Sequence, residues 1–180
     1  MAMIQTLETN QQHEGKIAVV GCINHSITDL LVTNMNSGNL IKRDIDFFLP
    51  VNTPGWQKWY DSHISFQNDM GVKSEFVKKK NIYDYDYSNT GNIGIAVVEG
   101  PDADFAIKLI HKIVPSVKKT GLILIPYTPI NRLDFVSKLN YEFDTQSLVH
   151  LENYSYINYI KGKVPLNKNK KVNRSRSILT

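Results

Sequence analysis

Short, continuously apolar runs alternate with stretches of helical spacing along most of the chain. Lys16 to Gly21 reads KIAVVG, a β-branched run closed by glycine, which predicts a buried strand. After CINH, Ser26 with Asp29 three residues on marks a helix start. Ile27, Leu30, Leu31 and Met35 then fall at helical spacing, and Asn36-Ser37-Gly38 ends the segment. Asp44 to Val51 reads as a second strand, followed by an Asn52-Thr-Pro-Gly55 turn. Residues 56–70 suit a helix with Trp56, Trp59, Tyr60, His63 and Phe66 on one face, and Ser74 to Lys79 a third strand. Residues 81–90 form a polar, tyrosine-rich loop.

The second half repeats the alternation more sharply. Ile93 to Val98, IGIAVV, is the clearest strand, and Glu99-Gly-Pro-Asp102 turns it into a helix with Phe105, Leu109, Ile110 and Ile113 as its stripe. Pro115 interrupts that helix and Lys118-Lys119-Thr-Gly121 closes the segment. Leu122 to Ile125 is another buried strand, and Asn131 to Leu139 a short helix. Two alternating runs follow, Tyr141 to Leu151 and Tyr154 to Ile160, with Glu152-Asn153 as a hairpin turn. Continuous strands alternating with helices predict an α/β fold: a mostly parallel, doubly wound, Rossmann-like sheet ending in an antiparallel hairpin.

At 180 residues the chain suits one domain, since domains commonly run ~100–200 residues. The expected organisation is a loose segment over residues 1–14, an α/β domain over 15–162 and a basic tail over 163–180. The formal charge of +4 divides unevenly. Residues 161–180 carry seven bases and no acid, leaving 14 bases against 17 acids elsewhere, a net −3. The chain is therefore a mildly acidic globule with a basic tail. Lys168, Lys170, Lys171, Arg174 and Arg176 are candidate nucleic-acid contacts, set against a merely solvated tail. Cys22 is the only cysteine, which excludes an intrachain disulfide and Cys-rich zinc sites. The N-terminal stretch does not read as a secretory signal, and no apolar run approaches the ~18 residues of a membrane helix. A cytoplasmic protein is expected.

The candidate chemistry gathers at strand ends. Gly21, between a strand and a helix start, reads either as a turn residue or as part of a nucleotide-binding loop. His25 in the same loop is a helix-end residue or a ligand contact. Glu99 and Asp102 follow a central strand, on the edge where open α/β sheets bind ligands. Asp102 also suits a helix cap, and the two roles are compatible. The tyrosines alternating with Asp84 and Asp86 read as an exposed segment or an adenine contact. The five histidines are scattered, and no Gly-x-Ser-x-Gly elbow occurs.

Two passages carry a family resemblance: KIAVVGCINHSITDLL and IGIAVVEGPDADFAIKLIHKIVPSVKKTGLILIPY. With the closing hairpin they resemble the class I S-adenosylmethionine-dependent methyltransferases over roughly residues 16–162. The resemblance implies seven strands, the last inserted antiparallel beside the fifth. It implies S-adenosylmethionine as cofactor, held near Gly21, Asn24 and His25, with ribose contacts at Asp44 or Asp46 and an adenine contact at Asp84. It places the methyl acceptor near Glu99 and Asp102 as catalytic candidates. Departures accompany it: Val19 stands where the family has an acid, only Gly21 of its glycines is kept, and Asn52 takes the ribose position if the second strand ends near Val51. So small a chain leaves little room for a substrate domain, and a partner or homo-oligomer would complete the site.

Two other readings compete. One is a catalytically inactive methyltransferase-like binding protein that docks nucleic acid or a protein partner through its tail. The other is a nucleotide enzyme in which Asp44-Ile-Asp46 holds manganese.

Overall fold

The computed structural model describes residues 15–21, 31, 33–41, 43–50, 74–79 and 93–158. Seven strands form one sheet: β1 (Lys16–Val20), β2 (Ile45–Pro50), β3 (Ser74–Lys79), β4 (Ile93–Val98), β5 (Val117–Pro126), β6 (Leu148–His150) and β7 (Tyr154–Asn158). Their order is β3-β2-β1-β4-β5-β7-β6. The first five run parallel, and β7 lies antiparallel between β5 and β6. Helix α1 (Ala103–Ile113) links β4 to β5 through a 3-10 turn at Val114–Ser116 containing Pro115, and helix α2 (Arg132–Glu142) precedes β6.

Side-chain alternation along the strands feeds two cores. Ala18 and Val20 point to the face covered by α1 and α2, where Ala106, Leu109, Ile110, Phe135 and Leu139 are buried. Ile17 and Val19 point to the other face, against Leu31 and Met35. Every residue of β4 is buried, as a strand covered on both faces requires. Each fully buried leucine or isoleucine of α1 contributes about 1.5–3 kcal/mol to this packing. Leu31 and residues 33–36 are helical, and Gly38, at φ +80°, stops the segment where the sequence predicts. The helix expected over 56–70 and the loop over 81–90 lie outside the described residues.

Three expectations are corrected. The segment Lys118 to Gly121 does not close a helix; it belongs to β5. Ile93 pairs with Val117 and Ile95 with Leu122, so two steps along β4 face five along β5. The excess forms a bulge, folded tightly enough that a Cβ on Gly121 would collide with Val117 Cγ1 and approach the Gly94 carbonyl oxygen to 3.1 Å. Helix α2 runs three residues past Leu139, to Glu142. The strand expected from Tyr141 shrinks to Leu148–His150. Glu142 explains both changes: it is 5% exposed, and its Oε1 lies 2.8 Å from His111 Nε2 at the end of α1. That inward pairing requires a helical turn where alternation suggests a strand. The hairpin turn at Glu152-Asn153 is as expected, closed by Leu151 N–H donating to the Tyr154 carbonyl at 2.9 Å.

Candidate functional site

The strand order reverses between β1 and β4, whose neighbours extend the sheet in opposite directions. Ligands of open α/β sheets bind beyond the carboxyl ends of the strands at such a point. Those ends are joined closely here. The Gly21 N–H donates to the Phe48 carbonyl at 3.0 Å, and the Glu99 N–H donates to the Val20 carbonyl at 2.9 Å. Gly21 adopts φ +77°, and a Cβ there would collide with the Glu99 carbonyl oxygen and lie 2.9 Å from Leu109 Cδ1. Glycine is thus demanded twice, by the backbone conformation and by the close crossing of two strand ends.

Glu99 and Gly100 follow β4, half-buried on this edge. Asp102 is exposed at extended φ −147°, and its Oδ1 accepts from the Phe105 N–H at 2.8 Å, capping α1. Asp102→Ala is expected to cost about 1 kcal/mol, read by urea denaturation. A loss too small to measure would contradict the capping role. Asp104 in the first turn of α1 and Asp134 in that of α2 share the Lys138 ammonium at 2.7 and 3.2 Å, which holds Lys138 above its ordinary pKa range.

The structure brings Gly21, Glu99 and Asp102 to one edge. It does not bring Asp44 and Asp46 there. Asp46 pairs in register with Ala18, midway along β1, and Asp44 precedes β2. At ~3.3 Å rise per residue, Asp46 stands about 10 Å below the level of Gly21. Its carboxylate is 3% exposed and faces the Lys16 ammonium at 3.3 Å. A carboxylate so paired and buried is spoken for by the fold, and among the described residues no cluster of metal ligands forms. Asn24, His25, Asp84 and the tail residues lie outside the described residues.

A second polar assembly on the same edge escaped the sequence reading. Tyr127, just past β5, donates its hydroxyl toward the carbonyls of Leu151 and Tyr154 at 2.8 and 2.9 Å. Ser155 Oγ lies 3.2 Å from that hydroxyl and 2.7 Å from His150 Nδ1, while His150 Nε2 lies 2.9 Å from Asn140 Oδ1. A serine, a histidine and an asparagine in line suggest a nucleophile and its base, but Ser155 is fully buried and cannot reach a substrate. The assembly clamps the hairpin to β5 and α2. The only hint in sequence was a tyrosine closing a buried strand.

Burial, and then the charge of Arg132, push the His150 pKa below its ordinary value of 6.5. The neutral ring is therefore the form the fold prefers. Its contribution is fully present above the unfolded-state value and is lost as pH falls below about 6.5. Wild type is expected to lose stability relative to His150→Gln between pH 7.5 and pH 5, followed by thermal melting. Parallel curves would contradict this.

No family model matches the chain, and no curated protein matches it in sequence. Solved structures do match in fold. An rRNA methylase from Streptococcus thermophilus aligns at TM-score 0.59 and 13% identity, over 88% of this chain and 95% of that one. CalS11, a TDP-rhamnose 3'-O-methyltransferase of calicheamicin biosynthesis, aligns at TM-score 0.60 and 12% identity, over 88% and 79%. An O-methyltransferase family protein from Burkholderia thailandensis aligns at TM-score 0.54 and 14% identity over 90% of this chain, which spans 56% of its length. The fold is that of the class I S-adenosylmethionine-dependent methyltransferases, a Rossmann-like α/β sheet with the last strand inserted antiparallel. Among the described residues no helix is long and apolar enough to cross a membrane.

Proposed function

We propose that this protein is an S-adenosylmethionine-dependent methyltransferase whose cofactor lies across the carboxyl ends of β1 and β4. One observation carries the reading: Gly21 turns out of β1 at φ +77° at the point where the strand order reverses. The residues present fit the cofactor in part. Gly21 supplies the turn from which a cofactor loop departs. Val19 is fully buried and offers no carboxylate. Because β2 ends at Pro50, the polar group following it in sequence is Asn52, which would accept from the ribose hydroxyls. Asn24, His25 and Asp84 remain the loop contacts of this reading.

The bound cofactor supplies a methyl group on a sulfonium, so the protein's task is chiefly to hold the acceptor in line. Glu99, half-buried on the edge, would orient the acceptor and take the proton that its hydroxyl or amine loses on gaining the methyl group. Asp102 would face the acceptor from the mouth of α1. Thermal shift tests the reading. S-adenosylhomocysteine at a hundredfold excess over Kd should stabilise the fold by about 2.7 kcal/mol. A shift produced only by a nucleoside diphosphate with manganese would replace this reading with a nucleotide-transferring one.

A further inference from the structure

The first turn of α1 packs against the proposed site. Asp102 fixes that turn by accepting from the Phe105 N–H at 2.8 Å. The stripe that follows, Ala106, Leu109, Ile110 and Ile113, is fully buried between α1 and the sheet. Phe105 is only half-buried, at the carboxyl edge. An aromatic ring left partly in water forgoes some of its burial gain, so packing into the core does not account for its place.

The ring lies against the backbone of two strand exits. A Cβ on Gly100 would stand 2.7 Å from Phe105 Cδ1, and one on Gly21 would stand 3.3 Å from Phe105 Cε1. Cδ1 and Cε1 are bonded neighbours, so one edge of one ring runs along both glycines. The Glu99–Gly100 peptide joins the two contacts, since its carbonyl oxygen is the atom that a Cβ on Gly21 would strike first. The Glu99 N–H is tied on its other side to the Val20 carbonyl at 2.9 Å. Gly100 does not have a positive φ. Glycine is needed there for close approach: besides the ring, the Asp102 carbonyl oxygen and the Ala106 nitrogen both lie 3.2 Å from where its Cβ would be.

We infer that Phe105 is a positioning residue of the proposed site, a brace that holds the Gly21 turn and the Glu99–Gly100 peptide at a fixed separation. It acts through its neighbours: Gly21, where the cofactor loop departs, and Glu99, which faces the acceptor. A flat phenyl ring holds such a spacing where a smaller, more flexible side chain lets it relax. A displacement of about 1 Å beside a reacting centre can cost about a hundredfold, so the brace matters far more to the site than to the core. The inference rests on the methyltransferase reading, and the test separates the failure of one from the failure of the other.

The test is calorimetric titration of S-adenosylhomocysteine into wild type and variants, at a temperature where circular dichroism shows each folded. Phe105→Leu should weaken binding by about tenfold and move the apo amide shifts of Gly21, Glu99 and Gly100. Phe135→Leu, the same change in the core under α2, should alter affinity by less than about twofold. Phe105→Met serves if the leucine variant melts early. Gly100→Ala should also weaken binding, because its methyl group pushes the ring aside. In a Phe105→Ala background the same Gly100→Ala change should restore part of the affinity, since the methyl group then fills vacated space. A merely structural role would lower melting temperatures and leave affinity unchanged. If wild type does not bind S-adenosylhomocysteine, the methyltransferase reading fails and this inference falls with it. If wild type binds and Phe105→Leu binds as tightly, or if Gly100→Ala costs as much without the ring as with it, this inference alone is overturned.

Discussion

Gly21→Ala should lower the melting temperature by about 6–12 °C and weaken S-adenosylhomocysteine binding at least tenfold. An alanine at φ +77° incurs about 1–2 kcal/mol of backbone strain. Its methyl group would also have to displace the Glu99 carbonyl, which adjoins the proposed site, and crowd Leu109. Together these cost roughly 3 kcal/mol, and a chain of this size loses about 2–4 °C per kcal/mol. Both effects have one origin, the joint between β1 and β4. If the variant melts as wild type does, the close crossing of the two strand ends is not what the fold depends on. If it melts early yet binds normally, Gly21 belongs to the fold and not to the site.

Phe135→Ala should be as damaging to stability and harmless to binding. Phe135 is fully buried on α2, its ring 5.5 Å from that of Tyr127, among Leu139, Phe143 and the β5 side chains Ile123 and Ile125. Emptying such a site costs about 3–5 kcal/mol. That corresponds to a fall of roughly 6–20 °C. Phe135 covers β5, one strand away from the joint, so affinity measured where the variant is still folded should stay within about twofold of wild type. The contrast between the two variants separates loss of the core from loss of the crevice.

The central sheet was legible because its strands are buried on both faces and therefore read as unbroken apolar runs, KIAVV and IGIAVV. The cap at Asp102 and the turn at Glu152-Asn153 were legible because their chemistry is local. The rest depended on partners far away in sequence. Lys118 to Gly121 looks like a turn, and only pairing with β4 shows that it is a bulge within β5. Tyr141 and Glu142 alternate like a strand, yet a histidine 31 residues earlier holds Glu142 in a helix. Asp44 and Asp46 looked like ribose ligands because the sequence does not specify register. The pairing of Ala18 with Asp46 places them below the edge. Gly21 and Glu99 were the legible part of the proposed site, since each follows a strand that could be recognised.

The most direct measurement is amide chemical-shift mapping of the 20.5 kDa protein during titration with S-adenosylhomocysteine. Saturable shifts are expected at Gly21, Glu99 and Gly100, with His111 and Asp144 at the opposite edge unmoved. Shifts confined to the amino edge, or none at millimolar ligand, would contradict it.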